Sequence, residues 1–388
     1  MNEKQSDATG SSGSDKRDIR ALQYGRGIAA LLVCIFHYEG GRDQLQVAAS
    51  TGFDLAHLFR AGHSGVEFFF LLSGFIIFHA HRNDVNRPEQ LRGFYLKRAI
   101  RILPMYWLII IPFGLALMLI APSAPVSPLN FLLDIFLIPH DGKLVLSTAW
   151  TLQHEVVFYL LYGILIFNLR AGIFALAAWQ VACLAVLVFD LLPQDYAIPE
   201  TTYFGYYNFG FLFGIAIAFL FERNGFARYR LILLILGWIG FVGIVVCFAG
   251  EARFGSAAFF PSPAASTLIY FGLYSLIILA LLSIKNKPRP VFDATLGVLG
   301  GASYILYLVH VPLASVFAKL FSLQGLHPFA GTTASIAVSV AITTAISIAV
   351  YYSIERPMLR QLRRYFLPRP RSSAVSTMMP AETGRLQS

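Results

Sequence analysis

The sequence predicts an all-α fold, a polytopic transmembrane helical bundle of about ten spans with both termini in the cytoplasm. Three observations carry that prediction. Hydrophobic residues make up 56% of the 388 residues and charged residues only 13%, with a mean hydropathy of +0.63. A soluble domain is about 25% charged. Apolar stretches of ~20 residues, the length that crosses ~30 Å of hydrocarbon, recur along almost the whole chain. Lys and Arg also alternate in abundance between successive connecting segments, as the positive-inside rule requires.

Taken in order, apolar runs broken by charge clusters place spans near 21–39, 61–81, 102–121, 149–168, 172–192, 203–221, 231–249, 265–283, 297–318 and 331–353. The sixth is interrupted at its start by Gly205, Tyr206, Tyr207 and Asn208. With a cytoplasmic N-terminus, the inside segments hold 25 of the 30 Lys and Arg residues. Only Arg42, Arg60, Lys143, Arg253 and Lys319 fall outside. Residues 1–18 are polar and expected to be a disordered cytoplasmic leader, with no small-residue cleavage site after them. Residues 19–357 form the membrane body, and 358–388 read as a basic, disordered cytoplasmic tail.

Several function classes fall away. The net charge of +9 sits where a membrane protein needs it, so nucleic acid is not an expected partner. No phosphate-cradling G-x-x-x-x-G-K-[ST] or G-x-G-x-x-G motif is present, which argues against an ATP-driven pump. Cys34, Cys183 and Cys247 each lie inside an apolar stretch without metal-ligand spacing, so no metal is expected.

Ionisable side chains inside spans are costly and by default mark function. Arg26 and His37 in the first span are eleven residues apart, about three turns, so they share one face ~16 Å apart along the axis. The plain alternative is that Arg26 snorkels to lipid phosphates and His37 bonds a neighbouring backbone group. Counted at 1.5 Å per residue, His37 lies ~24 Å from the cytoplasmic side. Glu67, Glu155 and His310 each come out near 20 Å, which predicts four ionisable groups from four helices in one layer of the outer half. His63 and His154 fall nearer the outer surface and are expected to be interfacial. In the basic segment before the third span, Arg98 and Arg101 are three apart and share a helix face. Such a pair can clamp phosphates, although the positive-inside rule alone also accounts for its charge.

Five motifs then occur in order: Arg26-x10-His37; Gly65-Val66-Glu67-Phe68-Phe69-Phe70-Leu71-Leu72-Ser73-Gly74-Phe75; Lys97-Arg98-x-x-Arg101-Ile102-x-Pro104; Trp150-Thr151-Leu152-x-x-Glu155-x-x-Phe158-Tyr159; and Ser303-Tyr304-x-x-Tyr307-Leu308-x-His310-x-Pro312. Over about residues 18–357 the chain resembles the integral-membrane acyltransferase type 3 family, and within it the exopolysaccharide-modifying branch. Its members modify bacterial surface polysaccharides, lipopolysaccharide O-antigens, peptidoglycan or Nod factors.

The resemblance implies an acyl-CoA donor, usually acetyl-CoA, on the cytoplasmic side of the bacterial inner membrane. The acceptor it implies is a hydroxyl of a polysaccharide or its lipid-linked precursor. Arg26 and His37 match the family's essential pair, and Arg98 and Arg101 match its donor-handling Arg-x-x-Arg. Glu67 stands where the family more often has Asp, so the acid is kept but reaches one methylene further. Many members carry an appended extracytoplasmic domain that completes transfer; none is visible here, so the whole reaction is expected within the membrane body.

The physics suits that picture. Polyanionic CoA cannot enter hydrocarbon. Its phosphates are expected in a basic vestibule of Arg26, Arg98 and Arg101, with the pantetheine arm threading toward His37. An imidazole titrates near neutrality and suits a general base. Glu155 or Glu67 is expected to orient it, with His310 in the same layer. An acyl-imidazole intermediate is the alternative chemistry. The competing function is a transporter or flippase of a lipid-linked glycan, which would also need buried polar groups but no CoA clamp; a membrane scaffold is a third. Membrane lipids surround the body in every case, and self-association is left open.

Overall fold

The computed structural model describes residues 15–44, 55–120, 127–193, 198–223, 228–283, 290–321, 323 and 332–367. The expected leader up to residue 14, and the tail beyond 367, lie outside them. Within them the chain is predominantly helical, with no strand. The helices are α1 (Asp15–Gln44), α2 (Gly65–His81), α3 (Leu91–Ile120), α4 (Pro128–Ile135), α5 (Ala149–Phe167), α6 (Leu169–Val188), α7 (Pro199–Phe204), α8 (Phe209–Glu222), α9 (Arg230–Phe254), α10 (Ser256–Phe259), α11 (Pro263–Ser283), α12 (Pro290–Ala294), α13 (Leu296–Phe321), α14 (Thr333–Val350) and α15 (Arg356–Phe366).

Nine described helical stretches are long and apolar enough to cross a bilayer, and they fall on the second to tenth expected spans. The first expected span lies in α1, which is long enough at 30 residues but is diluted by Gln23, Arg26 and His37. The segment expected from residue 358 as a disordered tail is helical at its start. A π-helical turn, Tyr351–Glu355, ends α14, and α15 then runs on to Phe366 with Pro357 in its first turn. Proline lacks the N–H that a helix start leaves unpaired anyway, so it seeds α15 without cost. The wider π turn rotates Glu355 inward, where it is fully buried.

Layering follows exposure. Leu231, Trp238 and Val246 on α9 and Phe174 and Val181 on α6 are more than half exposed, as a lipid-facing surface demands. Helix α2 is the enclosed one, with Phe68, Leu71, Leu72 and Phe75 all buried. Close packing of helices in lipid relies on small residues at the crossing, since lipid supplies no hydrophobic drive. At the α2–α8 crossing a Cβ on Gly74 would lie 2.2 Å from the Phe211 carbonyl oxygen, and one on Gly214 would lie 2.1 Å from that of Leu71. Larger side chains there would push the helices apart and open the centre of the bundle.

The connection from α3 to α5 is tied down rather than loose. His140 Nε2 meets Asp134 Oδ1 at 2.8 Å and the Val145 N–H donates to Asp134 Oδ2 at 2.8 Å. Tyr106 and Trp107 donate to the carbonyls of Asp134 and Ile135. Leu137, Val145 and Leu146 are buried, so the connection packs onto the bundle.

Candidate active site

A cavity of about 530 Å³ runs through the bundle. At one end Lys97, Arg98 and Arg101 of α3 meet Arg363 of α15 and Arg26 of α1. At the other it reaches Val66 and Thr151, in the first turns of α2 and α5. Five cations line it against one carboxylate, that of Glu155. Such an excess of positive charge inside an apolar body calls for an anionic occupant, because uncompensated charge is expensive there.

The arginines are not equivalent. Arg101 Nη1 donates to Glu355 Oε1 at 2.5 Å, and its guanidinium lies 5.2 Å from the Tyr304 ring centre. Tyr304 itself donates to the Ile102 carbonyl at 2.8 Å. The guanidinium of Arg98 lies 5.9 Å from the Tyr159 ring, and its Nε is buried without a hydrogen-bond partner. Arg101 is thus partly committed to the protein, while Arg98 keeps donor capacity for a ligand.

Glu155 belongs to this cavity and not to the outer layer predicted for it. Ser73 Oγ donates to its Oε1 at 2.7 Å, and the Tyr159 hydroxyl donates to the same oxygen. Helix α2 passes Gly25 at Phe68, five residues before Ser73, so Glu155 meets α2 beyond the level of Gly25, toward the arginine end. A depth counted along one helix does not register which neighbour the carboxylate meets, here Ser73 of α2.

The remaining three predicted residues divide. His37 and His310 face each other edge to face with ring centres 4.8 Å apart. Each Nδ1 sits on a carbonyl one turn earlier in its own helix, Val33 at 2.9 Å and Leu306 at 3.1 Å. A carbonyl can only accept, so in the neutral rings Nδ1 carries the proton and Nε2 the lone pair. No carboxylate bonds His37 among the described residues, contrary to the role expected of Glu155 or Glu67. The His310 Nε2 is fully buried with no partner. Glu67 stands apart from both, accepting from Thr267 Oγ1 at 3.2 Å while its Oε2 is buried and unbonded.

An aromatic wall separates the pair from the cavity. Tyr307 lines the cavity, bonds Thr151 Oγ1 at 2.8 Å and packs its ring on His310 at 5.6 Å and Phe69 at 5.8 Å. The arrangement is therefore a cationic chamber with a histidine pair one ring beyond its far end.

Sequence reasoning missed Glu355, Arg363 and Ser73. Glu355 carried a signal, as a lone acid at the end of the last apolar run. Ser73 and Tyr159 stood inside the quoted motifs without a role. Arg363 lay in the segment read as tail. Among the described residues no group of three or more His, Cys, Asp and Glu is placed to hold a metal ion.

Residues 19–352 match the family model described as "Acyltransferase domain". The chain belongs to that acyltransferase family. It is a multi-pass membrane enzyme that transfers acyl groups. It is 28% identical over 326 residues to the exopolysaccharide production protein ExoZ of Rhizobium meliloti (strain 1021), covering 79% of this chain and 92% of that protein. It is 27% identical over 225 residues to the putative peptidoglycan O-acetyltransferase YrhL of Bacillus subtilis (strain 168), covering 50% of this chain and 35% of the relative. No solved structure matches the chain.

Proposed function

We propose that this acyltransferase moves an acyl group, acetyl in the first instance, from acyl-CoA to a hydroxyl of a bacterial surface polysaccharide or its lipid-linked precursor. The observation that carries the reading is the cavity itself, cationic at one end and closed at the other by the ring that packs on His310. The acceptor class rests on the two relatives, whose names refer to exopolysaccharide production and to peptidoglycan O-acetylation. Residues 19–357 act as the catalytic body in the inner membrane, with the arginine end and both termini at the cytoplasm, where acyl-CoA is available.

In this reading the CoA phosphates are held by Arg98, Arg101 and Arg26, whose charge-assisted bonds are roughly twice as strong as neutral ones. Glu155, fixed by Ser73 and Tyr159, offsets part of the positive charge and keeps Arg26 from being an isolated buried cation. The pantetheine arm extends along α1 toward His37 Nε2. There the thioester carbon is attacked by the acceptor oxygen, with His37 as base or as transient acyl carrier. Movement of Phe69 or Tyr307 would open that path.

The test uses the full chain in membranes, with labelled acetyl-CoA as donor and the membrane glycan fraction as acceptor. Wild type is expected to transfer label, and His37→Ala and Arg26→Ala at equal protein level are not. Label transfer undiminished in both variants would remove the proposed site.

A further inference from the structure

The only histidine in this region braced by a carboxylate, among the described residues, is not His37. It is His63, at the end of the 3-10 segment Leu55–Ser64. His63 Nε2 meets Glu251 Oε2 at 3.0 Å, and Tyr270 donates its hydroxyl proton to Glu251 Oε1 at 2.6 Å. Glu251 is 1% exposed, near the end of α9, and both its oxygens are engaged. A fully buried carboxylate on three helical elements is a costly arrangement. The hydrogen bonds from His63 and Tyr270 offset part of that cost, and they fix the ring in one tautomer.

The carboxylate accepts, so in the neutral ring Nε2 carries the proton and Nδ1 the lone pair. The His63 side chain is 25% exposed, unlike the buried carboxylate behind it. One ring nitrogen held by a buried acid and the other carrying a lone pair, on a side chain that is partly exposed, is the arrangement that makes histidine a directed proton acceptor.

Position ties this dyad to the reaction. The rings of His37 and His63 both pack edge to face on Phe36, at 5.0 and 5.5 Å. Contacts therefore run unbroken from the cavity through Tyr307, His310, His37 and Phe36 to His63. The dyad stands at the end of that series farthest from the cationic chamber. The polar groups around it are Glu67 and His37, Tyr270, and the Tyr274 hydroxyl bonded to Ser64 Oγ at 2.9 Å. Glu67 Oε2 is buried and unbonded in the same neighbourhood.

We propose that His63, positioned by Glu251, is a second catalytic residue that takes the proton from the acceptor hydroxyl. As the acceptor oxygen bonds the acyl carbon and the carbon–sulfur bond breaks, the hydroxyl proton passes to His63 Nδ1. CoA leaves as the thiolate, and the imidazolium returns its proton to that sulfur, so the products are the ester and CoA thiol. His37 is then left to act on the thioester from the donor side. This assignment rests on the acyl-CoA reading given above and divides its chemistry between two histidines.

The experiment compares wild type with His63→Ala, His63→Gln and Glu251→Gln, using labelled acetyl-CoA and the membrane glycan fraction, with and without added imidazole. CoA-dependent thermal stabilisation is measured on each purified chain. His63→Ala is expected to lower the rate on the order of 100-fold, to keep its stabilisation by CoA and its KM for acetyl-CoA, and to regain activity with imidazole. His63→Gln fills the site and is not expected to be rescued. Glu251→Gln is expected to lower kcat with KM unchanged. Full activity in folded His63→Ala, or a loss that imidazole does not restore, would overturn the role of His63. Wild-type membranes that transfer nothing from acetyl-CoA would overturn the donor reading itself, which is a different result.

Discussion

The cationic chamber and the histidine region hold their charged groups in opposite ways. In the chamber Arg98 keeps an unbonded Nε, Lys97 is exposed, and five cations surround a volume with room for a ligand. In the histidine region His37 and His310 are each tied to their own helix, and His63 is tied to Glu251. Groups with spare donors and space bind; groups with fixed tautomers and one free lone pair move protons. Under the proposed function, the first region captures the donor and the second exchanges the bonds.

The largest expected effect that could break this division comes from His37→Ala, which should lower acyl transfer by about 10²- to 10⁴-fold while leaving CoA binding intact. Equal loss of CoA binding, measured by thermal shift, would merge the two regions into one. Arg101→Ala comes next. It strands Glu355, buried at 0% exposure, and breaking such a pair costs about 3 kcal/mol at the low end of its range, since Arg101 is a quarter exposed. Its melting temperature should fall, and Arg101→Ala/Glu355→Ala should recover stability without recovering full donor affinity. An Arg101→Ala chain as stable as wild type would show that Glu355 is not held by it.

Arg98→Ala should leave stability nearly untouched, because Arg98 is the less committed of the two, and should weaken CoA binding. Loss of charge-assisted bonds worth about 1.5–3 kcal/mol corresponds to roughly 10- to 100-fold. The smallest effect lies outside both regions. Burial pushes the Asp134 carboxyl above its ordinary value, against the Val145 N–H and His140. A raised value means that the folded chain binds more protons than the unfolded one, so stability rises as pH falls through that raised value. Wild type should therefore gain thermal stability relative to Asp134→Asn as pH is lowered toward the ordinary carboxylate range, at unchanged acyl transfer near neutrality. A constant difference would place Asp134 outside this linkage.

The helices were legible because hydrocarbon thickness imposes a length on every span, and charge clusters punctuate them. The chamber was half legible. Arg26, Arg98 and Arg101 do converge, since α1 and α3 carry them at one end of the bundle. Their partners were not readable. Glu355 enters through a π turn that hydropathy cannot register, and Arg363 through a helix whose arginines read as tail. His37 and His310 meet because α13 packs alongside α1, bringing Gly300 against Gln23 and Gly27 ten residues earlier. Glu155 was placed too far out, because a count along one helix carries no information on where its neighbours cross it. Which carboxylate meets which histidine is set by the order of helices around the bundle, and no periodicity encodes that order. His63 accordingly read as interfacial, although the buried Glu251 holds it.

The most direct test of the division is the CoA-dependent thermal shift of the purified chain, measured side by side for Arg98→Ala and His37→Ala. Loss of the shift in Arg98→Ala with retention in His37→Ala, whose transfer is abolished, is the expected result. Retention in Arg98→Ala with loss in His37→Ala would contradict it.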